Sequence, residues 1–147
     1  MSNVSLMPGA ERLIAHLRRH NIPMAIATGS TLESFRIKIF KYQQLFKIGD
    51  NFQHIVFTRD DPEVSAPKPA PDVYLVAAKR FKSSAESHKC LVFEDTKTGV
   101  DGAISAGMQC VMVPDYRFQY IQQNATQIIK TLFDFKPELY GLPPFED

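Results

Sequence analysis

The sequence predicts an α/β fold, with a mostly parallel sheet that helices cover on both faces. Two observations support this prediction: short apolar runs alternate with helical patterns, and polar or charged residues come directly after the apolar runs. The runs expected to form strands are Met24–Ala27, His54–Phe57, Leu91–Phe93 and Gln109–Val113. Such alternation is typical of parallel strands joined by crossover helices.

The helical patterns lie between these runs. They predict one amphipathic helix of about 12 residues that begins at Pro8, and further helices over 32–46, 72–81 and 100–106. Apolar residues at 128, 129, 132 and 133 indicate a short strand or helix near the end of the chain. The segment 132–143 is expected to lie across the domain and to bury its aromatic side chains.

The composition excludes several classes of protein. A chain of 147 residues, with 44% apolar and 22% charged residues, is expected to form one domain over 1–147. Its net charge of +1 gives no electrostatic reason to bind nucleic acid or an anionic membrane. It has no apolar run long enough to cross a bilayer, and its first residues lack the pattern of a signal peptide. Cys90 and Cys110 lie in strand-like context and are predicted to be buried thiols, so we expect a cytoplasmic protein.

The first helix carries two histidines. His16 and His20 are four residues apart, a spacing that can chelate a metal. The sequence offers no third ligand, and basic residues surround the pair. We therefore expect His16 and His20 to lie on a solvated helix face.

The first predicted strand runs into a turn rich in hydroxyl groups. Thr28, Gly29, Ser30 and Thr31 follow it and precede a helix. Free N–H groups at such a turn favour a phosphate, and hydroxyl groups could add further donors. Plain N-capping of the helix by a threonine or serine explains the same residues, and the sequence alone does not separate these alternatives.

A lysine lies in a proline-rich segment before the third helix. Lys68 stands between Pro67 and Pro69, in the run Ala66–Asp72. Prolines restrict the backbone, so a stiff loop could aim one cation at a phosphate with little further loss of entropy. Asp60 and Asp61 follow the second strand and are expected to form an exposed acidic loop outside the site.

Two acids follow the third predicted strand. Glu94 and Asp95 come where the strand should end, and Gly99 follows in a turn. Ligands in parallel α/β sheets bind outside the carboxyl ends of the strands, and adjacent carboxylates there can hold a hard cation. Capping of the next helix, or simple solvation, remains an alternative for the pair. The strand end at Thr28, Lys68 and the two acids are all expected at one edge of the sheet.

In this order the three features resemble the haloacid dehalogenase-like (HAD) phosphatase superfamily. Its second, third and fourth motifs are matched by Ile26–Ser30, Lys68–Asp72 and Phe93–Gly99. The runs Cys90–Asp95 and Asp134–Pro143 also resemble its pseudouridine-5'-phosphatase branch. A generic nucleotide-binding domain is disfavoured, because the chain contains no G-x-G-x-x-G motif and no P-loop.

The resemblance implies a Rossmann-like core and a magnesium-dependent phosphatase for a small phosphomonoester, such as pseudouridine-5'-phosphate or a similar nucleoside monophosphate. By this resemblance Thr28 and Gly29 bind the phosphoryl oxygens, and Lys68 neutralises the nucleophile and the transferring group. Thr28 and Lys68 are thus the expected catalytic residues. Asp95 is expected to bind Mg2+, with Glu94 assisting directly or through water.

The family's first motif, an apolar strand followed by Asp-x-Asp, is absent from the sequence. The helical cap that follows that motif in the family is absent as well. We therefore expect a truncated core, weak or no Mg2+ binding, and little or no turnover by this chain alone. A non-catalytic isoform or pseudoenzyme that binds a partner or a phosphate ligand is the alternative.

The missing strand has a structural consequence. In the family it lies between the strands that here end at Thr28 and Asp95, and its loss leaves unpaired backbone groups. We expect another segment of the chain, a second copy or a partner strand to fill this gap.

Overall fold

The computed structural model describes residues 7–114 and 124–146, and in these residues helices alternate with parallel strands as predicted. The α-helices of this part are α1 (Ala10–Arg19), α2 (Leu32–Lys38), α3 (Asp72–Lys79) and α4 (Lys97–Ser105). The strands are β1 (Ala25–Thr28), β2 (His54–Phe57), β3 (Leu91–Glu94), β4 (Gln109–Met112) and β5 (Gln127–Ile128). The predicted α/β class is therefore confirmed. None of the helices described is both long and apolar enough to cross a membrane.

The sheet is divided into two parts. β1 pairs with β2 in parallel, and β3, β4 and β5 form a second parallel sheet with β4 in the middle. Among the residues the structure describes, no strand pairs with the inner edges of β1 and β3. The gap expected from the missing motif is therefore present, and no segment of the described chain fills it.

A cavity of about 880 Å³ occupies this gap. Residues 24–27 line it on one side and residues 91–94 on the other, and side chains of α1 and α3 close it above and below. Every residue of β1 and β3 is only half-buried. These two strands, unlike the middle strand of the second sheet, are therefore edges that face a space.

The core lies on both faces of the second sheet. Cys110 and Met112 of β4 pack toward α3 and α4, whereas Val111 and Val113 pack toward α1 and the C-terminal segment. All four side chains are at most 2% exposed. This alternation, with its period of two, gives the three-layer arrangement predicted from the sequence.

One predicted helix is wrong in length. The periodicity over 32–46 predicts one long helix, but α2 ends at Lys38 and a 3-10 helix, Phe40–Tyr42, follows. The turn brings Phe46 back onto the second strand region, where its ring stacks on Phe52 with a centroid distance of 5.6 Å. The stacking of Phe46 on the buried ring of Phe52 thus accompanies the early end of α2, which helical periodicity alone does not predict.

The end of the chain contains both of the elements that the sequence left open. Residues 127 and 128 form β5, and Leu132–Asp134 form a 3-10 helix. Phe135 is 2% exposed and packs against the rings of Phe93 and Tyr140, whereas Phe133 is 57% exposed, so the expected burial of aromatic side chains in this segment is confirmed only in part.

The two cysteines are free thiols that differ in burial. Cys110 is buried as predicted, whereas Cys90, just before β3, is only half-buried. Burial raises the pKa of the Cys110 thiol to about 12.

Candidate functional site

The end of β1, the loop before α3 and the end of β3 meet at one edge of the gap. The Nζ atom of Lys68 lies 2.6 Å from Oε2 of Glu94 and 3.4 Å from the carbonyl oxygen of Ala27. Ala27 directly precedes Thr28. The structure therefore brings together the three features that the sequence predicted at one sheet edge.

The loop that carries Lys68 is closed by an aspartate. Oδ2 of Asp72, the first residue of α3, accepts hydrogen bonds from the N–H groups of Ser65 (3.0 Å) and Ala66 (3.2 Å). The N–H of Ala70 donates to the carbonyl oxygen of Pro67 at 2.9 Å. These bonds fix both ends of the segment, so the position of Lys68 is set before any ligand arrives.

Glu94 is enclosed by groups of the chain itself. Its side chain is 10% exposed and that of Lys68 is 17% exposed. The carboxylate accepts from Lys68 and from the hydroxyl group of Tyr74, which lies 2.5 Å from Oε2. It also packs against Gly99, where a Cβ atom would overlap it. The pair is thus a largely buried ion pair, in which loss of one partner leaves an uncompensated charge.

Tyr74 is a site residue that the sequence analysis missed. Tyr74 is 3% exposed, and its hydroxyl group lies 2.9 Å from the carbonyl oxygen of Gly99. Burial, followed by the neighbouring charge of Glu94, raises the pKa of Tyr74 well above its ordinary value, so the hydroxyl group stays a neutral donor. The only signal in the sequence was a tyrosine two residues after Asp72, at the start of an otherwise apolar helix.

The turn after β1 is the segment for which the sequence left phosphate binding and helix capping as alternatives. Oγ1 of Thr31 caps α2 by accepting from the N–H of Ser34, and Asp60 accepts from the N–H of Leu32. Oγ1 of Thr28 accepts from the N–H of Ser30 at 3.0 Å. Capping therefore occupies the helix start, whereas Gly29 in the turn is exposed.

Asp95 follows Glu94 on the exposed side of the same edge. The N-cap of α4 is Thr96, whose hydroxyl oxygen accepts from the N–H of Gly99. Magnesium is commonly held by one or two carboxylates with several waters. Asp95 is exposed, and the carboxylate of Glu94 accepts from Lys68. In the described part of the chain no third acidic, histidine or cysteine side chain joins these two as a ligand group. The residues present therefore fit a magnesium ion only in part.

The acidic loop after β2 does not contribute to this site, as expected. Arg80 binds both carboxylate oxygens of Asp61, at 2.5 and 2.9 Å, and Oε1 of Glu63 at 2.8 Å. The guanidinium group holds the pKa of Asp61 below its usual value. Asp60 is engaged with the start of α2. This loop therefore has a structural role, although Asp61 is less exposed than the sequence indicated.

The expectation of a solvated histidine face is wrong for His16. Its side chain is 3% exposed, and Nε2 lies 2.7 Å from the carbonyl oxygen of Pro143. The C-terminal segment packs over this part of α1, and the sequence pattern of α1 alone contains no information about that contact.

Comparison with known proteins finds relatives that align with nearly the whole chain. A (DL)-glycerol-3-phosphatase 2 of Arabidopsis thaliana is 52% identical over 144 residues, which are 97% of this chain and 58% of that protein. A probable pseudouridine-5'-phosphatase of Drosophila melanogaster is 48% identical over 148 residues, which are 100% of this chain and 63% of that protein. The chain thus spans about six-tenths of the length of these two relatives.

A solved structure and a family model agree with these relatives. The crystal structure of a HAD hydrolase, family IA, variant 3, from Entamoeba histolytica superimposes with a TM-score of 0.74 at 29% identity, over 95% of this chain and 60% of that one. The family model of haloacid dehalogenase-like hydrolases matches residues 1–107. With the fold, the motif order and these similarities in place, the chain belongs to the haloacid dehalogenase-like hydrolase family.

Proposed function

We propose that this chain is the phosphate-binding core of a phosphatase for small phosphomonoesters, with a nucleoside monophosphate such as pseudouridine-5'-phosphate as the first candidate substrate. The observation that carries the proposal is the placement of Lys68, held by Glu94 beside the strand end at Thr28. The phosphatase names of two relatives support the reaction class, and one of them adds glycerol-3-phosphate as a substrate to test.

In this proposal each residue has a distinct task. The exposed turn at Thr28 and Gly29 binds phosphoryl oxygens, and Lys68 neutralises their charge. Glu94 and Tyr74 hold Lys68 in place, so its positioning requires little entropy when a phosphate binds. Asp95 would hold a magnesium ion, which when bound supplies charge stabilisation to the phosphoryl group. We expect that binding to be weak, because Lys68 and Tyr74 hold the carboxylate of Glu94 and, in the described part of the chain, no third ligand side chain joins the two acids.

The chain by itself is proposed to turn over slowly or not at all. The family's aspartyl nucleophile belongs to an Asp-x-Asp motif, and the sequence contains no such motif. Phosphate binding by Lys68 and the turn cannot replace the covalent step. The alternative, a non-catalytic phosphate-binding or partner-binding module, keeps the same phosphate site and differs only in the reaction.

We propose further that the gap between β1 and β3 takes an extended strand of another molecule, apolar on both faces and ending in carboxylates. The cavity of about 880 Å³ is lined by apolar side chains of β1, β3, α1 and α3. A strand placed there would be covered by apolar groups on both faces, as the strands of a parallel sheet usually are. The cation of Lys68 lies at the end of the gap where such carboxylates would stand.

The first experiment measures phosphate release by the purified chain. Substrates are pseudouridine-5'-phosphate, glycerol-3-phosphate and an aryl phosphate, each with and without Mg2+. We expect no release above buffer from any of them. Magnesium-dependent release that Asp95→Asn abolishes would contradict the proposed inactivity and would mean that another carboxylate acts as the nucleophile.

Binding is measured separately, because it is expected without turnover. Inorganic phosphate is titrated while NMR signals of the chain are followed. Lys68→Met and Thr28→Val should each weaken phosphate binding tenfold or more. Lys79→Met, at an exposed lysine of α3, is the matched control and should leave binding unchanged. Equal binding by all four proteins would contradict the proposed phosphate site.

The strand proposal is tested with a synthetic peptide. The peptide has four β-branched apolar residues followed by Asp-x-Asp, and a control peptide has a proline in the middle of the strand. The first peptide should raise the melting temperature and add Mg2+-dependent phosphate release, and the control should do neither. A stabilised chain without release would favour the non-catalytic module, and concentration-dependent dimerisation with no peptide effect would assign the gap to a second copy instead.

A further inference from the structure

A second group of potential ligand side chains lies away from the residues of the phosphate site. It consists of His16 and His20 at the end of α1 and Glu146 in the C-terminal segment. One ligand atom from each lies within 4.8 Å of the others. The segment that ends at Glu146 therefore supplies the third ligand that the helix sequence lacks.

The two histidines are arranged differently. Nε2 of His20 is buried and has no hydrogen-bond partner, which leaves a polar atom unsatisfied inside the protein. Nε2 of His16 donates to the carbonyl oxygen of Pro143 when it carries the ring proton, which leaves the lone pair of that ring on Nδ1. A backbone carbonyl that accepts from one ring nitrogen is the usual way to orient a histidine ligand.

Glu146 can turn toward a cation at little cost. Its present partner is Arg19, at 2.7 Å, and both side chains are more than 60% exposed. Exposed ion pairs of this kind contribute little to stability. The rest of the segment is held independently of Glu146, because Phe145 packs on the ring of His16 and the guanidinium group of Arg12 lies 3.6 Å from the centroid of the Phe145 ring.

We propose that His16, His20 and Glu146 form a Zn2+ site that fastens the C-terminal segment to α1. Two imidazoles and one carboxylate are a ligand set that zinc accepts in tetrahedral geometry, with the fourth position left to water. Tetrahedral ligands about 2 Å from the metal are about 3.3 Å apart, so the three atoms need to close by at most about 1.5 Å. No residue of this group belongs to the phosphate site, so the proposal is independent of the proposed function.

The test titrates Zn2+ into the metal-free chain, with calorimetry for stoichiometry and thermal unfolding for stability. Co2+ replaces Zn2+ in a parallel experiment, because its visible absorption reports the coordination geometry. We expect one equivalent of Zn2+ to bind, a rise in melting temperature that Mg2+ does not produce, and a tetrahedral Co2+ spectrum. Since ligands must lose their protons, binding should weaken as the pH falls.

Two variants locate the site without disturbing the buried His16. His20→Gln and Glu146→Gln should each weaken Zn2+ binding by tenfold or more and should remove the Zn2+-dependent stabilisation. His88→Gln, at an exposed histidine elsewhere, is the matched control and should bind as the parent chain does. Absence of binding by the parent chain, or binding that both variants retain, would overturn the proposal and leave the cluster as a packing contact only.

Discussion

β4 has an apolar sequence similar to those of β1 and β3, but its surroundings differ from theirs. β4 is paired on both sides, and its residues Cys110, Val111 and Met112 are completely buried. Within the described residues β1 and β3 are each paired on one side, and all of their residues are half-buried. An apolar run therefore predicts a strand that could lie inside a sheet. Whether the strand is buried there depends on pairing with a strand on each side.

The backbone shows the same contrast. The carbonyl groups of residues 24 and 28 in the β1 region accept from the β2 side, and those of residues 90 and 94 accept from the β4 side. Because successive residues of a parallel strand direct their hydrogen-bonding groups to opposite sides, Ala25, Ala27, Leu91 and Phe93 direct theirs into the gap. Lys68 reaches the carbonyl oxygen of Ala27 and so satisfies one of these groups.

The largest effect is expected at the ion pair that links the two sides of the gap. Glu94→Gln leaves the cation of Lys68 largely buried without its counter-charge, which should cost about 2–4 kcal/mol of unfolding free energy. Asp101→Asn, which breaks the more exposed pair with Lys97, should cost about 0.5 kcal/mol or less. Urea unfolding of both variants measures the difference. Equal costs would mean that the Lys68–Glu94 pair does not link the two sheets.

A matched deletion compares the strands directly. Val111→Ala in β4 should cost about 2–3 kcal/mol, because it removes two fully buried methyl groups and leaves a cavity. Val92→Ala in β3 should cost about 1 kcal/mol, since its side chain is half-buried beside an existing space. The same unfolding assay applies. A cost at Val92 as large as that at Val111 would indicate that another strand fills the gap in solution.

Hydrogen exchange tests the contrast at the level of single amides. The N–H groups of Ala25, Ala27, Leu91 and Phe93 should exchange at least about tenfold faster than those of β4, because local openings near an unpaired edge need little free energy. NMR exchange rates measure this. Uniform protection across β1 and β3 would argue against an open gap, and protection that appears only with the apolar peptide would support the strand proposal.

The smallest effect concerns the two thiols. Cys110 in β4 is completely buried and its pKa is raised to about 12, so the neutral thiol predominates up to pH 9 and should not react. Cys90, just before β3, is half-buried and should react slowly with an aromatic disulfide reagent. We expect one modified thiol in the native chain and two in denaturant. Modification of both under native conditions would show that β4 opens as readily as the strands at the gap.

Much of the site could be predicted because its residues follow apolar strands. Thr28, Glu94 and Asp95 come at strand ends, and the carboxyl ends of parallel strands lie at the same sheet edge. Lys68 was recognisable from its prolines. Tyr74 was not, because its role depends on a hydroxyl group that meets Glu94 and Gly99 across two other elements. The ion pair between Lys68 and Glu94 was likewise missed. The role of Glu94 in metal binding stays a prediction.

The sequence by itself determined the order of elements, the strand positions to within a residue or two, and the set of residues at the sheet edge, because these depend on local periodicity and on the geometry of parallel strands. The tertiary structure decided where the second helix ends, which histidine is buried and how the sheet divides. The early end of the second helix goes with the packing of Phe46 on Phe52, the burial of His16 depends on the distant Pro143, and the division of the sheet depends on which of the described strands pair. Local propensity is weak compared with the free energy of burying such groups, so it cannot specify them.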